Sequence, residues 1–181
     1  MKTLVLVFHP NMAASRVNRA LAERAESLGD EVVVRRMYDL YPGFRIDIAA
    51  EQQAMEAADR IVLQFPMYWF SCPPLLKKWK DDVLTYGWAY GSTGNALAGK
   101  ELLVACSPGS SKYGRESDYI YTVHEFLRPF QASANLCSLT YLKPFLTIGA
   151  MAISDEDLAK RVEDYETTLK ANSLPTLSDF D

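Results

Sequence analysis

Leu4-Val5-Leu6-Val7-Phe8, the polar stretch His9-Pro10-Asn11-Met12-Ala13-Ala14-Ser15, and then Val17, Ala20, Leu21, Ala25 and Leu28 closed by Gly29 form the stretch that decides the fold. Five apolar residues in a row show no alternation, so both faces of this strand are covered, as in a parallel sheet flanked by helices. The residues after the loop repeat at helical spacing up to a glycine, a common helix end. Strand, loop and helix in that order open a βαβ unit.

Working outward, 31–36, 61–65 and 102–106 read as further strands, and 138–145 holds a fifth. Helical stretches are expected at 49–58, 73–84, 119–130 and 155–171. This alternation predicts an α/β fold, a doubly wound sheet of five parallel strands with helices on both faces, joined by right-handed crossovers. One domain is expected over 1–171, followed by a polar tail, 172–181, that frays.

The 181 residues are 49% hydrophobic and 23% charged, ordinary values for a globular domain. Nineteen Lys and Arg against 23 Asp and Glu leave a net charge of -4, which makes nucleic acid and anionic membrane surfaces poor partners. The widely spaced Cys72, Cys106 and Cys137 match neither a disulfide framework nor a zinc site. A reducing, cytoplasmic setting and no metal are therefore expected. The run 4–8 is too short for a signal peptide, and no stretch approaches the ~20 apolar residues of a membrane span.

In open α/β sheets the ligand lies beyond the carboxyl ends of the strands. Three loops leave those ends here. In the first, Ser15 is placed to cap the helix. The backbone N–H groups of Arg16, Val17 and Asn18, with the positive end of the helix dipole and the Arg16 side chain, would seat a phosphate. His9 adds an imidazole donor. Neither G-x-x-x-x-G-K-[ST] nor G-x-G-x-x-G is present, so a nucleoside triphosphate or a Rossmann dinucleotide is not the expected occupant. An ordinary cap at Ser15 would have the same sequence.

The second loop, Phe65-Pro66-Met67-Tyr68-Trp69-Phe70-Ser71-Cys72-Pro73-Pro74, carries four aromatics and a Met among three prolines. Such apolar surface suits a flat amphipathic ring, whose face it covers and whose polar edge the backbone meets. Trp69 and Phe70 could equally plug the core or a dimer interface. The third loop, Ser107-Pro108-Gly109-Ser110 on to Tyr113, is small enough for close backbone approach, and Tyr113 brings a hydroxyl. A phosphate seat plus a ring with a hydrogen-bonding edge describes a flavin nucleotide. The sequence shows no carboxylate pair or Ser-His-Asp order at these ends, which argues against hydrolysis.

At this point the chain resembles the flavodoxin-like NAD(P)H:quinone oxidoreductase family, particularly its small bacterial members, among them the ancillary subunits of Kef potassium efflux systems. The resemblance runs from Lys2 to Tyr165. It rests on His9-Pro10-Asn11 with Ser15 and Asn18, on the stretch from Phe65 through Lys77 with Trp79 and Asp82-Val83-Leu84, and on Gly87-Trp88-Ala89-Tyr90-Gly91. Leu97-Ala98-Gly99-Lys100 and Leu127-Arg128-Pro129-Phe130 add to it. Where many relatives carry Thr-Gly-Gly in the third loop, this chain has Ser107-Pro108-Gly109.

The resemblance implies FMN, or alternatively FAD, with its phosphate at His9 and Ser15 to Asn18 and its ring between Pro66, Met67, Tyr68 and Trp69 on one side and Ser107, Pro108, Gly109 and Ser110 on the other. It further implies NAD(P)H as hydride donor, a quinone or similar acceptor, ping-pong kinetics and a homodimer in which Trp88 and Tyr90 serve the partner's site. Tyr113 is the expected catalytic donor to the reduced ring. A regulatory subunit docked on a potassium efflux transporter and a flavodoxin-type one-electron carrier are the alternatives.

Overall fold

The computed structural model describes residues 1–178. Five parallel strand positions lie in the order β2-β1-β3-β4-β5, from β1 (Thr3–Val7), β2 (Val32–Arg36), β3 (Arg60–Pro66), β4 (Glu101–Ser107) and β5 (Thr140–Tyr141). The winding reverses between β1 and β3, the switch point of a flavodoxin-like sheet. β1 and β3 are buried along their whole length, as their mostly apolar sequences require, with Arg60 and Gln64 as buried polar positions in β3.

Alternation divides the strand side chains between two cores. Leu4, Leu6, Phe8, Ile61, Leu63, Phe65 and Val104 meet α3 (Ile48–Glu56), α4 (Pro74–Val83) and α5 (Val123–Leu136). Val5, Val7, Val62, Leu103 and Ala105 meet α1 (Val17–Glu26) and α6 (Asp155–Lys170) on the opposite face. Helices thus cover both faces.

Three elements depart from expectation. The fifth strand is broken: β5 is followed by Lys143-Pro144 and then by β6 (Phe145–Leu146), which rejoins β4. Pro144 has no N–H to give the ladder, so pairing stops there and resumes one residue on. α5 begins at Val123 rather than 119, because Thr122 and Glu125 form a reciprocal capping box. A four-residue helix, α2 (Met37–Leu40), follows β2.

The tail also departs from expectation. Lys143 N–H donates to Pro175 O at 2.8 Å and Leu177 N–H to Tyr141 O at 3.2 Å, so the segment forms an antiparallel cover on the β5 edge. This ordering reaches Ser178; the rest of the expected fraying tail, 179–181, lies outside the described residues. No helix is long and apolar enough to cross a membrane among the described residues.

Candidate functional site

The carboxyl end of β1 delivers His9 to the rim of the sheet, half-buried. Burial pushes its imidazole below the ordinary histidine value, and the Asn11 backbone N–H donates to Nδ1 at 3.1 Å. That lone pair is occupied, so the neutral ring carries its proton on Nε2 as a donor. The chain then makes a single 3-10 turn, Met12–Ala14, capped by the Asn11 side chain.

Ser15 does not occupy the expected helix N-cap. Its N–H closes the 3-10 turn on Met12 O, and the cap position of α1 falls to Arg16, which already has helical dihedrals and offers no side-chain cap. The first-turn N–H groups therefore stay free of a capping oxygen at the positive end of the helix. The Arg16 guanidinium is not available to an anion as expected: it donates to Ile153 O at 2.7 Å and pairs with Asp155 in the acidic first turn of α6. Asn18 turns inward. At 3% exposure its Nδ2 donates to Ser107 Oγ at 2.7 Å.

β3 ends at Pro66, in register with Ser107, and Met67 N–H donates to Ser107 O at 3.2 Å. The second and third loops are thereby stitched together. Tyr68 and Ser71 close a tight turn through paired backbone bonds, with Trp69 and Phe70 between them at φ 47 and 59. Two successive left-handed residues are the geometry of a type I′ turn, normally given to Asn and Gly. Here the turn sends the two rings apart. Phe70 stacks on Phe126 with centroids 4.9 Å apart, while Trp69 is 93% exposed. Trp69, expected as part of the ring platform, stands outside the cleft wall in the single chain; the left-handed backbone directs it away.

In the third loop Ser107 and Gly109 reach the cleft. Pro108 and Ser110 do not line it; their carbonyls accept from the N–H groups of Ala150 and Gly149, which pins the loop to the turn after β6. A Cβ on Gly109 would lie 3.0 Å from Cγ and Sδ of Met151, so the absent side chain is what lets that turn close in. Tyr113 also stays out of the cleft lining. Its hydroxyl donates to Met67 Sδ at 3.6 Å, and its ring packs edge-on to Tyr119. Burial raises its pKa, which keeps it a neutral donor.

Trp88 and Tyr90, expected to project toward a partner, pack on their own core, with Trp88 Nε1 donating to Glu56 at 2.6 Å. All three cysteines are free thiols, and burial pushes Cys72 and Cys106 up, away from reactivity. No cluster suited to a metal occurs among the described residues.

His9, Ser15, Arg16, Val17, Asn18, Pro66, Met67, Tyr68, Ser107 and Gly109 line one cleft of about 350 Å³, together with Ala14, Ala150 and Met151. The last two went unforeseen. The signal for them was positional: 147–151 follows the last strand at the same sheet edge as the three loops already singled out. One end of the cleft offers uncapped N–H groups and a neutral imidazole. The rest of its lining is Pro66, Met67 and Tyr68 together with Ser107 and Gly109 from the strand end beside them. An anion fits the first part and a flat ring the second.

An open doubly wound sheet with a cleft at the carboxyl ends of β1, β3 and β4 is the architecture of a flavodoxin-like α/β protein. Comparison with known proteins agrees: the family described by its flavodoxin-like fold matches residues 1–169, and this chain belongs to it. The uncharacterized NAD(P)H oxidoreductase YrkL of Bacillus subtilis is 47% identical over 91% of this chain and 97% of its own length. The glutathione-regulated potassium-efflux system ancillary protein KefF of Salmonella arizonae is 42% identical over 93% of this chain and 95% of its own. Among solved structures, the general stress protein 14 of Treponema denticola in complex with FMN superposes with a TM-score of 0.86 at 40% identity, covering 93% of this chain and 98% of that one.

Proposed function

We propose that this protein is an FMN-dependent oxidoreductase that takes hydride from NAD(P)H and passes two electrons to a quinone or a similar small acceptor. The observation that carries this reading is the cleft itself, in which an uncapped helix start and a flat apolar slot adjoin. The residues present fit FMN on their donor set: N–H groups of Arg16, Val17 and Asn18 and His9 Nε2 for the phosphate, and the cleft lining of Pro66, Met67, Tyr68, Ser107 and Gly109 for the ring. The relative in complex with FMN supports the choice over FAD.

When bound, FMN supplies the hydride chemistry, which resides in the cofactor. The protein binds and orients. Its helix-start N–H groups and the His9 Nε2 proton hold the phosphate end without needing a fixed positive charge, since Arg16 is engaged elsewhere. Pro66, Met67 and Tyr68 exclude water from one ring face. Ser107 and Gly109, the two residues of the third loop that line the cleft, would offer their N–H groups to the polar edge of the ring, where donors favour the negative charge of reduction. Tyr113 acts through Met67, fixing its sulfur, and Trp69 sits at the rim. In this reading donor and acceptor use the same slot in turn, which is a ping-pong scheme.

The exposed Tyr68, Trp69, Phe70, Ile120 and Tyr121 suit a homodimer interface. We read the fold unit as one domain over 1–171 and the setting as cytoplasmic. The similarity to KefF favours a second reading, a regulatory subunit docked on a potassium efflux transporter. Purified protein should be yellow, and mass analysis of the released chromophore should give FMN. Protein that is colourless and stays so after incubation with excess FMN or FAD overturns the proposal; a yellow protein that fails to turn over NAD(P)H with any quinone favours the regulatory reading.

A further inference from the structure

A chain of hydrogen bonds runs under the cleft. Tyr165 of α6, fully buried, donates its hydroxyl to Gln64 Oε1 at 3.1 Å. Gln64, in β3 and equally buried, donates Nε2 to the Asn18 backbone carbonyl at 2.9 Å. Asn18 in turn donates Nδ2 to Ser107 Oγ at 2.7 Å. Four elements are linked, α6, β3, α1 and β4, and every donor points the same way.

The direction has a chemical consequence. Tyrosine must begin such a series, because its single proton is spent on Gln64. Each amide accepts on its oxygen side and donates from its nitrogen. Ser107 Oγ is left as acceptor from Asn18, so its own hydrogen is free for an acceptor on the other side, and Ser107 lines the cleft. Gln64 Nε2 meets the Asn18 backbone carbonyl at 2.9 Å and Asn18 Oδ1 at 3.5 Å, so it fixes the backbone that carries the Asn18 amide and thereby the orientation of Nδ2 toward Ser107. Burial also keeps Tyr165 protonated. A purely structural network has no need to end at a ligand-facing hydroxyl.

We propose that Tyr165 and Gln64 are positioning residues of the binding site: through Asn18 they hold the Ser107 hydroxyl as a donor aimed at an oxygen or nitrogen acceptor of the bound nucleotide. This rests on the FMN reading above. Neither residue touches the cleft, and Tyr165 lies 58 positions beyond Ser107 in the chain.

The test is a double-mutant cycle on FMN binding, read by flavin fluorescence on apoprotein, using Ser107→Ala, Tyr165→Phe and the double variant, with thermal unfolding of each apoprotein alongside. Ser107→Ala removes the cleft-lining hydroxyl and leaves Asn18 Nδ2 without its acceptor, so its unfolding curve is the control for the stability cost of breaking the series at that end. Each single change is expected to weaken FMN about tenfold, the worth of one hydrogen bond. Tyr165→Phe is expected to cost no further affinity once Ser107 is alanine. Gln64→Leu should reproduce Tyr165→Phe and serves if the phenylalanine variant is not folded. Additive losses, or unchanged affinity in folded Tyr165→Phe or Gln64→Leu, overturn the inference alone. A wild-type chain that takes up no FMN overturns the flavin reading and this one with it.

Discussion

Phe70 stacks on Phe126 at 4.9 Å between centroids, and this one ring contact anchors the Tyr68–Ser71 turn to α5. Its neighbour Trp69 has no such anchor, yet it too keeps a left-handed backbone, at φ 47. An aromatic residue in that region costs on the order of 1–2 kcal/mol. A strained, exposed tryptophan at the rim of a cleft is better explained by what it does to a ligand than by folding.

Trp69→Gly separates the two effects. Glycine adopts φ 47 without strain, so the apoprotein should be about as stable or gain up to about 1 kcal/mol, measured by urea unfolding. FMN retention through gel filtration should fall. Unchanged retention would remove Trp69 from the site.

The pH dependence of the apoprotein should carry the signature of buried neutral histidine. Burial lowers the pKa of His9 and of His124, the latter further through Lys143 and Arg128. The unfolded chain therefore binds more protons than the folded one as pH falls past the ordinary histidine value of about 6.5. The stability is fully present above that value and is lost as pH drops through the depressed folded-state values. Melting temperature should decline between pH 7.5 and 5.5, less steeply in His9→Gln. Bound FMN should flatten the curve, because a phosphate beside His9 favours its charged form.

The strands were legible because β1 and β3 are covered on both faces, and such strands read as unbroken apolar runs. The break between β5 and β6 was not, since two-residue segments have no period; Pro144 was its only mark. The three loops were legible from their composition and from their place at strand ends. Side-chain directions were not. Arg16 reads as an anion ligand until Asp155, 139 positions away, claims it. Asn18 reads as a ligand until Ser107 does the same. Both outcomes depend on partners that only the closed sheet brings near.

Two glycines should respond oppositely to alanine. At Gly94 a Cβ would lie 2.2 Å from the Tyr90 carbonyl oxygen and 2.5 Å from its nitrogen, backbone atoms that cannot yield. Gly94→Ala should cost about 3 kcal/mol or more by urea unfolding. At Gly109 the obstacle is the flexible side chain of Met151, 87% exposed and free to swing. Gly109→Ala should keep near wild-type stability and narrow the cleft, seen as weaker FMN binding.

Glu51 is buried in α3 and accepts from Tyr41 Oη at 2.6 Å, from Trp79 Nε1 at 3.0 Å and from Arg35. Removing its carboxylate strands a guanidinium, a phenol and an indole at once, so Glu51→Ala should cost about 3–5 kcal/mol. The network lies away from the cleft lining, so the folded fraction should bind FMN with unchanged affinity. A loss of affinity in step with stability would mean that the two regions are coupled.

Ending the chain after Ser173 should do more than shorten a tail. Pro175 and Leu177 complete the backbone pairing of β5, Leu177 packs on the core, and Gln131 Nε2 donates to Ser178 O at 2.9 Å. Without them the Lys143 N–H and Tyr141 O groups form an open sheet edge, ready to pair with another chain. The truncated protein should melt lower and form concentration-dependent aggregates by light scattering, while Gln131→Ala in the full chain, which loses the tether to Ser178 and the acceptor of Arg128 but keeps the backbone pairing, should melt slightly lower and remain unaggregated. If the truncated chain stays dispersed at concentrations the full chain tolerates, the edge is guarded by something other than residues 174–178.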